Sequence, residues 1–124
     1  MADKKLLGRW GEALTADYFR SKGYTITALN YATRFGEVDL IAESRKFVVF
    51  AEVKLRKDSR FAEAKEFVTR EKQRRILAAA GQWLSENECG KQPRFDVVEI
   101  YAPDGMATEK PQIIHTEDAF GADE

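Results

Sequence analysis

Apolar residues recur along this chain with two different periods. Between Lys4 and Lys22 they fall at Leu6, Leu7, Trp10, Ala13, Leu14 and Tyr18. That three-to-four spacing predicts one helix, with Gly23 as its stop. From Tyr24 to Leu29 the spacing drops to two, Tyr24, Ile26 and Ala28 alternating with threonines, as in a strand. Val38–Ala42 and Phe47–Val53 are two further strand-like runs, and Glu43-Ser44-Arg45-Lys46 between them reads as a polar hairpin turn without an Asn-Gly signal. These runs are apolar on nearly both faces, which predicts strands inside a sheet covered on each side. The helical period returns at Thr69–Asn87, where Thr69 is a good N-cap and Ile76, Leu77, Ala80, Trp83 and Leu84 form the stripe. Gly81 inside that helix costs about 1 kcal/mol relative to Ala. Gly90–Pro93 reads as a loop, Arg94–Tyr101 as a fourth strand and Gln112–His115 as a fifth. The order α-β-β-β-α-β-β predicts an α/β domain with a mixed central sheet flanked by helices.

Composition narrows the class. The 124 residues, 44% hydrophobic and 33% charged, suit one globular domain over residues 1–124, with an acidic tail expected to fray from about residue 116. No apolar run approaches a membrane span, and Met1-Ala2-Asp3-Lys4-Lys5 is followed by no signal core, so neither membrane insertion nor secretion is expected. One cysteine, Cys89, excludes an internal disulfide and a cysteine-based zinc cage. One histidine, His115, excludes a two-histidine metal site. A cytoplasmic setting is the expectation. With no companion evident in the sequence, Cys89 and His115 both read as structural.

The net charge of −1 hides an uneven distribution. Nine bases and four acids lie between Lys54 and Arg75, whereas seven acids and one base follow from Glu99 onward. A basic middle is consistent with a polyanionic partner, but charge alone favours a solvated helix face of mixed charge.

Acids inside buried strands are more specific. Asp39 lies in one apolar strand and Glu52 in the next, with Lys54 two residues on and therefore on the face of Glu52, roughly 6–7 Å along the strand. Antiparallel pairing across the short turn can set Asp39 beside Glu52. Two carboxylates held together favour a shared proton or a divalent cation. Oxygen ligands suit Mg²⁺, with Mn²⁺ as a substitute. A neighbouring ammonium can orient water or offset charge on a phosphate.

Asp39, followed after twelve residues by Glu52-Val53-Lys54, resembles the acid and Glu-x-Lys pattern of the PD-(D/E)XK nucleases. A longer series occurs in one order: Gly11-Glu12, Gly23-Tyr24, Asn30-Tyr31, Gly36-Glu37-Val38-Asp39-Leu40-Ile41, Glu52-Val53-Lys54 with Arg56, Lys72, and Arg94-Phe95-Asp96-Val97-Val98. This series resembles the YraN family of small bacterial proteins, which are similar to Holliday junction resolvases within the restriction-endonuclease-like fold. It covers roughly Leu6 to Ile100. The resemblance implies an Mg²⁺-dependent endonuclease acting on branched or structured DNA. Asp39 and Glu52 would hold the metal with the Val53 carbonyl, Glu12 would join them from the first helix, and Lys54 would position the attacking water. Glu37 and Gln73 would support the site. It also implies a homodimer, since two cuts need two sites.

Arg56, Lys57 and Arg60 follow the site directly, and Lys72, Arg74 and Arg75 open the second helix, where cations oppose the helix dipole unless a phosphate lies nearby. All six are candidate nucleic-acid contacts. Trp10 and Trp83 lie on helical stripes and read as core. Gly8-Arg9-Trp10-Gly11 has the form of a KH-domain loop, but it lies within a helical pattern. Phe61-Ala62 departs from the Phe-Gly that the family tends to have. A nucleic-acid-binding or partner-binding protein of the same fold that cuts little is the alternative, and charge alone leaves RNA open as the ligand.

Overall fold

The computed structural model describes residues 4–57 and 68–121. Helix α1 (Lys4–Ser21) leads into strands β1 (Thr25–Thr33), β2 (Gly36–Glu43) and β3 (Phe47–Arg56). Helix α2 (Arg70–Glu86) then crosses over to β4 (Gln92–Tyr101), and a single 3-10 turn, Gly105–Ala107, precedes β5 (Gln112–Phe120). The five strands lie in sequence order. Only β3 and β4, joined through α2, run parallel; the other pairs are antiparallel. That α/β architecture is consistent with the restriction-endonuclease-like fold.

The two helices cover opposite faces. Ile76, Ala80 and Trp83 of α2 pack on Ile41, Val48, Phe50 and Val97. Ala16 and Phe19 of α1 pack on Leu40, Ala42, Val49, Ala51, Val98 and Ile100. Adjacent residues of β2, β3 and β4 thus enter different cores, which explains why their sequences are apolar almost throughout. Each fully buried Val, Leu, Ile or Phe contributes roughly 1.5–3 kcal/mol.

Several boundaries differ from the sequence reading. Leu6 and Ala13 of α1 are exposed, and its buried residues are Gly11, Thr15, Ala16 and Phe19. The reason is close approach: a Cβ on Gly11 would meet the Leu55 side chain at 3.2–3.4 Å, so the small residues face the sheet and Trp10, Leu14 and Tyr18 flank them. Trp10 is accordingly half-buried, while Trp83 is core and meets Phe50 edge to face. Pro93 belongs to β4, not to a loop, because parallel pairing with β3 begins at Gln92. An early position in the strand tolerates its missing N–H.

The expected fraying from residue 116 is corrected. Strand β5 continues to Phe120, which is buried, and the Asp118 N–H donates to Asp96 at 3.0 Å. Asp118 adopts φ 52°, and the β4–β5 register shifts nearby, between Phe95 and Val97. Among the described residues no helix is long and apolar enough to cross a membrane.

Candidate functional site

The site forms where β2 and β3 part. Their ladder runs from Glu43↔Val48 to Leu40↔Ala51, so the next positions in register are Asp39 and Glu52. Beyond that point the Val53 N–H donates to Asp39 Oδ2 at 2.9 Å, a side chain serving where a strand carbonyl would. The N–H and C=O of a strand residue point to the same side, so the Val53 carbonyl opens toward Asp39. Glu52, in contrast to Asp39, is only 3% exposed. The two carboxyl groups lie within hydrogen-bonding reach. Burial first, and then the charge of Asp39, push the Glu52 carboxyl up to about 7 against the attraction of Lys72.

Lys72 supplies that attraction directly, its Nζ 3.2 Å from Glu52 Oε1. It therefore belongs to the site as the partner of a buried acid, a role that differs from the surface phosphate contact expected of it. Thr69 caps α2 by accepting from the Lys72 N–H at 3.1 Å, which fixes the turn that carries this lysine. Gln73 turns elsewhere: its Nε2 donates to the Val68 carbonyl at 2.9 Å. A helix rotation of 100° per residue separates the two, and sequence alone does not fix which of them faces the sheet.

Gly36 sets the depth of α2 against β2. A Cβ at Gly36 would lie 1.9 Å from the Arg75 carbonyl oxygen and 2.6 Å from its carbon. The backbones of β2 and α2 thus touch one helical turn beyond Lys72, and only glycine fits.

On the other side, Glu12 of α1 approaches the same opening. Burial raises its pKa, the Asn30 hydrogen bond and Arg9 pull it back, and Asp39 and Glu37 add to the rise. Asn30 Nδ2 donates to Glu12 Oε1 at 3.0 Å. Asn30 sits between the paired residues Leu29↔Leu40 and Tyr31↔Val38, opposite Asp39, and has φ 54°. A left-handed residue in a strand upsets its two-residue alternation. Here Val38 packs in the α2 core and Leu40, two residues on, in the α1 core. The irregularity falls at Asp39, so Glu37, two residues earlier, need not share its face. Glu37 is exposed, its field reaching Glu12. Asn30 had no role assigned from sequence. Asparagine's tolerance of positive φ was the available signal.

Lys54, on the α2 side like Glu52, is half-buried and makes no ion pair among the described residues. Arg56 turns inward, its Nε 3.3 Å from Glu99 Oε2, and Tyr101 donates to the same oxygen at 3.0 Å. Lys57, Arg74 and Arg75 are exposed, Arg74 pairing with Glu71 within its own helix. Arg60 and Phe61-Ala62 lie outside the described residues.

A second polar cluster lies on the α1 face, and it corrects the reading of His115 as companionless. Asp96 is fully buried and accepts from His115 Nε2 at 2.7 Å and from Arg94 Nε and Nη2 at 2.9 and 2.8 Å. His115 Nδ1 lies 3.0 Å from the Tyr18 hydroxyl, and Arg94 donates to the Tyr24 hydroxyl at 2.9 Å. Burial would raise the Asp96 pKa, but hydrogen bonds from His115, Arg94 and the Asp118 N–H, with the charge of Arg94, hold it below its usual range. The cluster ties β4 and β5 to α1. Asp96→Ala is expected to destabilise the fold by about 3–5 kcal/mol, because it leaves the Arg94 cation buried beside His115. Urea denaturation measures this; a loss below about 1 kcal/mol would mean that water readily replaces the carboxylate.

Among the described residues no three acids, histidines or cysteines gather closely enough to enclose an ion unaided. A half-buried aspartate and a buried glutamate beside the Val53 carbonyl nevertheless match the usual demand of Mg²⁺, which takes one or two carboxylates and completes its shell with water and phosphate oxygens.

A mixed sheet between two helices, with a paired aspartate and glutamate where its inner strands separate, defines an α/β domain of restriction-endonuclease-like build carrying a buried carboxylate site. The chain belongs to the UPF0102 (YraN) family: the profile of "Uncharacterised protein family UPF0102" matches residues 11–100. It is 43% identical over 115 residues to a UPF0102 protein of Syntrophomonas wolfei, covering 92% of this chain and 96% of that one. It is 43% identical over 121 residues to one of Rhodococcus opacus, covering 97% and 100%. A relative from Geotalea uraniireducens is 41% identical over 120 residues, covering 96% and 92%.

Proposed function

We propose that this protein is an Mg²⁺-dependent DNA endonuclease acting on branched or otherwise structured DNA. The observation that carries the reading is the pairing of half-buried Asp39 with buried Glu52, with Lys54 two residues further along the strand. A structural role gives no account of two carboxyls held in contact at a sheet opening, since their repulsion opposes folding. Asp39, Glu52 and the Val53 carbonyl would hold the cation, with Glu12 steered toward it by Asn30. When bound, the cation neutralises the acids and polarises a phosphoryl oxygen. The Lys54 ammonium orients a water in line with phosphorus and offsets charge on the phosphate. As the new P–O bond forms, the bond to the leaving sugar oxygen breaks; the water loses a proton and the leaving oxygen gains one. Lys72 holds Glu52 in place before the site fills.

Labelled duplex, single-stranded, flap and four-way-junction DNAs, each with Mg²⁺, Mn²⁺ or EDTA, test the reading. Metal-dependent cutting that Asp39→Asn abolishes while DNA binding persists is the expected result. Binding without cutting on every substrate would replace this reading with that of a nucleic-acid-binding module. The Lys72–Glu52 ion pair, which already neutralises one acid, is the observation that favours that second reading.

Cation binding should also depend on pH. The Glu52 carboxyl, raised to about 7, must lose its proton before it can serve as a ligand. Mg²⁺ affinity measured by calorimetry is expected to fall by up to about tenfold per unit as pH drops below about 7. A flat profile between pH 5.5 and 8.5 would remove Glu52 from the ligand set.

A further inference from the structure

The geometry points to the hairpin tip Arg34–Phe35 as a subsite that stacks an unpaired nucleobase beside the carboxylate pair; this inference rests on the nuclease reading above and names the substrate feature it selects. Phe35 is 64% exposed, more than any other large apolar side chain among the described residues. It occupies a two-residue turn, where small polar residues are the usual choice and an aromatic ring gains nothing from folding.

The turn holds it firmly. Thr33 pairs with Gly36 across the tip, and the Thr33 hydroxyl accepts from the Phe35 and Gly36 N–H groups at 3.1 and 3.2 Å. The Gly36 backbone rests on the Arg75 carbonyl, so the tip is anchored to α2 as well as to the sheet. The Arg34 guanidinium lies over the Phe35 ring, 5.1 Å from its centre. Arg75, whose backbone meets the neighbouring Gly36, is exposed. The tip thus combines a rigid aromatic surface with cations for the flanking phosphates, the two components of sequence-tolerant binding to single strands.

Its position gives the pairing a purpose. Phe35 precedes Asp39 by four residues of the same hairpin, about 13 Å of extended chain. That is about four base steps at 3.4 Å rise. A base inside an intact duplex is already stacked on both sides, so the ring can receive only a base that is unpaired or at a helix end. The subsite would therefore favour DNA whose strands separate about four nucleotides from the scissile phosphate, as at a fork or junction.

The test compares wild type, Phe35→Ala and Phe35→Trp. Fluorescence anisotropy in EDTA gives their affinity for a labelled duplex and for the same duplex ending in four unpaired nucleotides per strand. Wild type is expected to prefer the forked DNA. Phe35→Ala should bind the fork about 5- to 150-fold more weakly, the range set by loss of one base–aromatic stack, with duplex affinity unchanged and Phe35→Trp close to wild type. The side chain is exposed, so melting temperatures should agree. Equal affinity of wild type for both DNAs overturns the inference, as does an alanine variant that loses equally on both or on neither. Cleavage with Mg²⁺, run in parallel, separates the two readings. Cutting without a Phe35-dependent fork preference removes the subsite and keeps the nuclease. A Phe35-dependent preference without cutting keeps the subsite and removes the nuclease.

Discussion

Replacing Glu52 with glutamine is expected to stabilise the fold and abolish its chemistry. Glu52 is buried against Asp39, and its carboxyl is raised from 4.5 to about 7. Between these two values the folded protein holds a proton that the unfolded chain has released. Stability therefore falls as pH rises through this window, and the full cost of ionised Glu52 is reached above about pH 7. At 1.36 kcal/mol per pH unit, the rise from 4.5 to about 7 corresponds to about 3–4 kcal/mol. Glutamine mimics the neutral acid, so Glu52→Gln should match wild type near pH 4.5 and exceed it by about 3–4 kcal/mol at pH 8.5, a rise of roughly 10–20 °C in melting temperature. The same substitution removes a carboxylate from the proposed ligand set, and Mg²⁺-dependent cleavage should fall by on the order of 10³-fold or more. Melting curves from pH 4.5 to 8.5 and single-turnover cleavage measure the two effects. A stability difference that does not grow with pH would show that the acid is not forced into its neutral form. Such opposed outcomes are common where a site stores repulsion for function.

Gly36→Ala should lose stability and disturb the site together. The added methyl would lie 1.9 Å from the Arg75 carbonyl oxygen, and a helix backbone cannot rotate out of the way as a side chain can. Either β2 or α2 must move by more than an ångström. Overpacking costs typically 1–3 kcal/mol, and a backbone clash belongs at or above the top of that range, about 3 kcal/mol or more. Displacement of α2 carries Lys72, which is one turn back from Arg75 on the same helix, away from Glu52. Glu52 then loses its nearest cation, and its carboxyl should titrate higher than in wild type. Chemical denaturation gives the first effect, and the pH midpoint of Mg²⁺ binding gives the second. A variant with wild-type stability and an unchanged midpoint would show that the two backbones are not held in contact. Arg75→Ala is the control, because it keeps the carbonyl that makes the contact and should leave both quantities nearly unchanged.

Much of this site is legible in short stretches of sequence. The tight turn after Glu43, closed by the Ser44 N–H donating to the Phe47 carbonyl, sets the β2–β3 register, and once it is set Asp39 and Glu52 can only be opposite. Lys54 follows on the same face because strand side chains alternate. Thr69 announces the start of α2, and Gly23, at φ 91°, the end of α1. The α1 stripe was misread by about one residue because Gly11, which buries nothing of its own, marks the closest approach to the sheet.

Sequence by itself determined the order of elements, the strand pairing across the hairpin and the acidic pair, since each follows from backbone periodicity and turn length over a few residues. Tertiary structure decided which face of α2 meets the sheet, hence that Lys72 reaches Glu52 and Gln73 does not. It also joined Asn30 to Glu12 and, across 97 positions, Tyr18 to His115. Those contacts depend on how helices rotate and settle on a twisted sheet, a balance of packing spread over the whole core that no local pattern encodes.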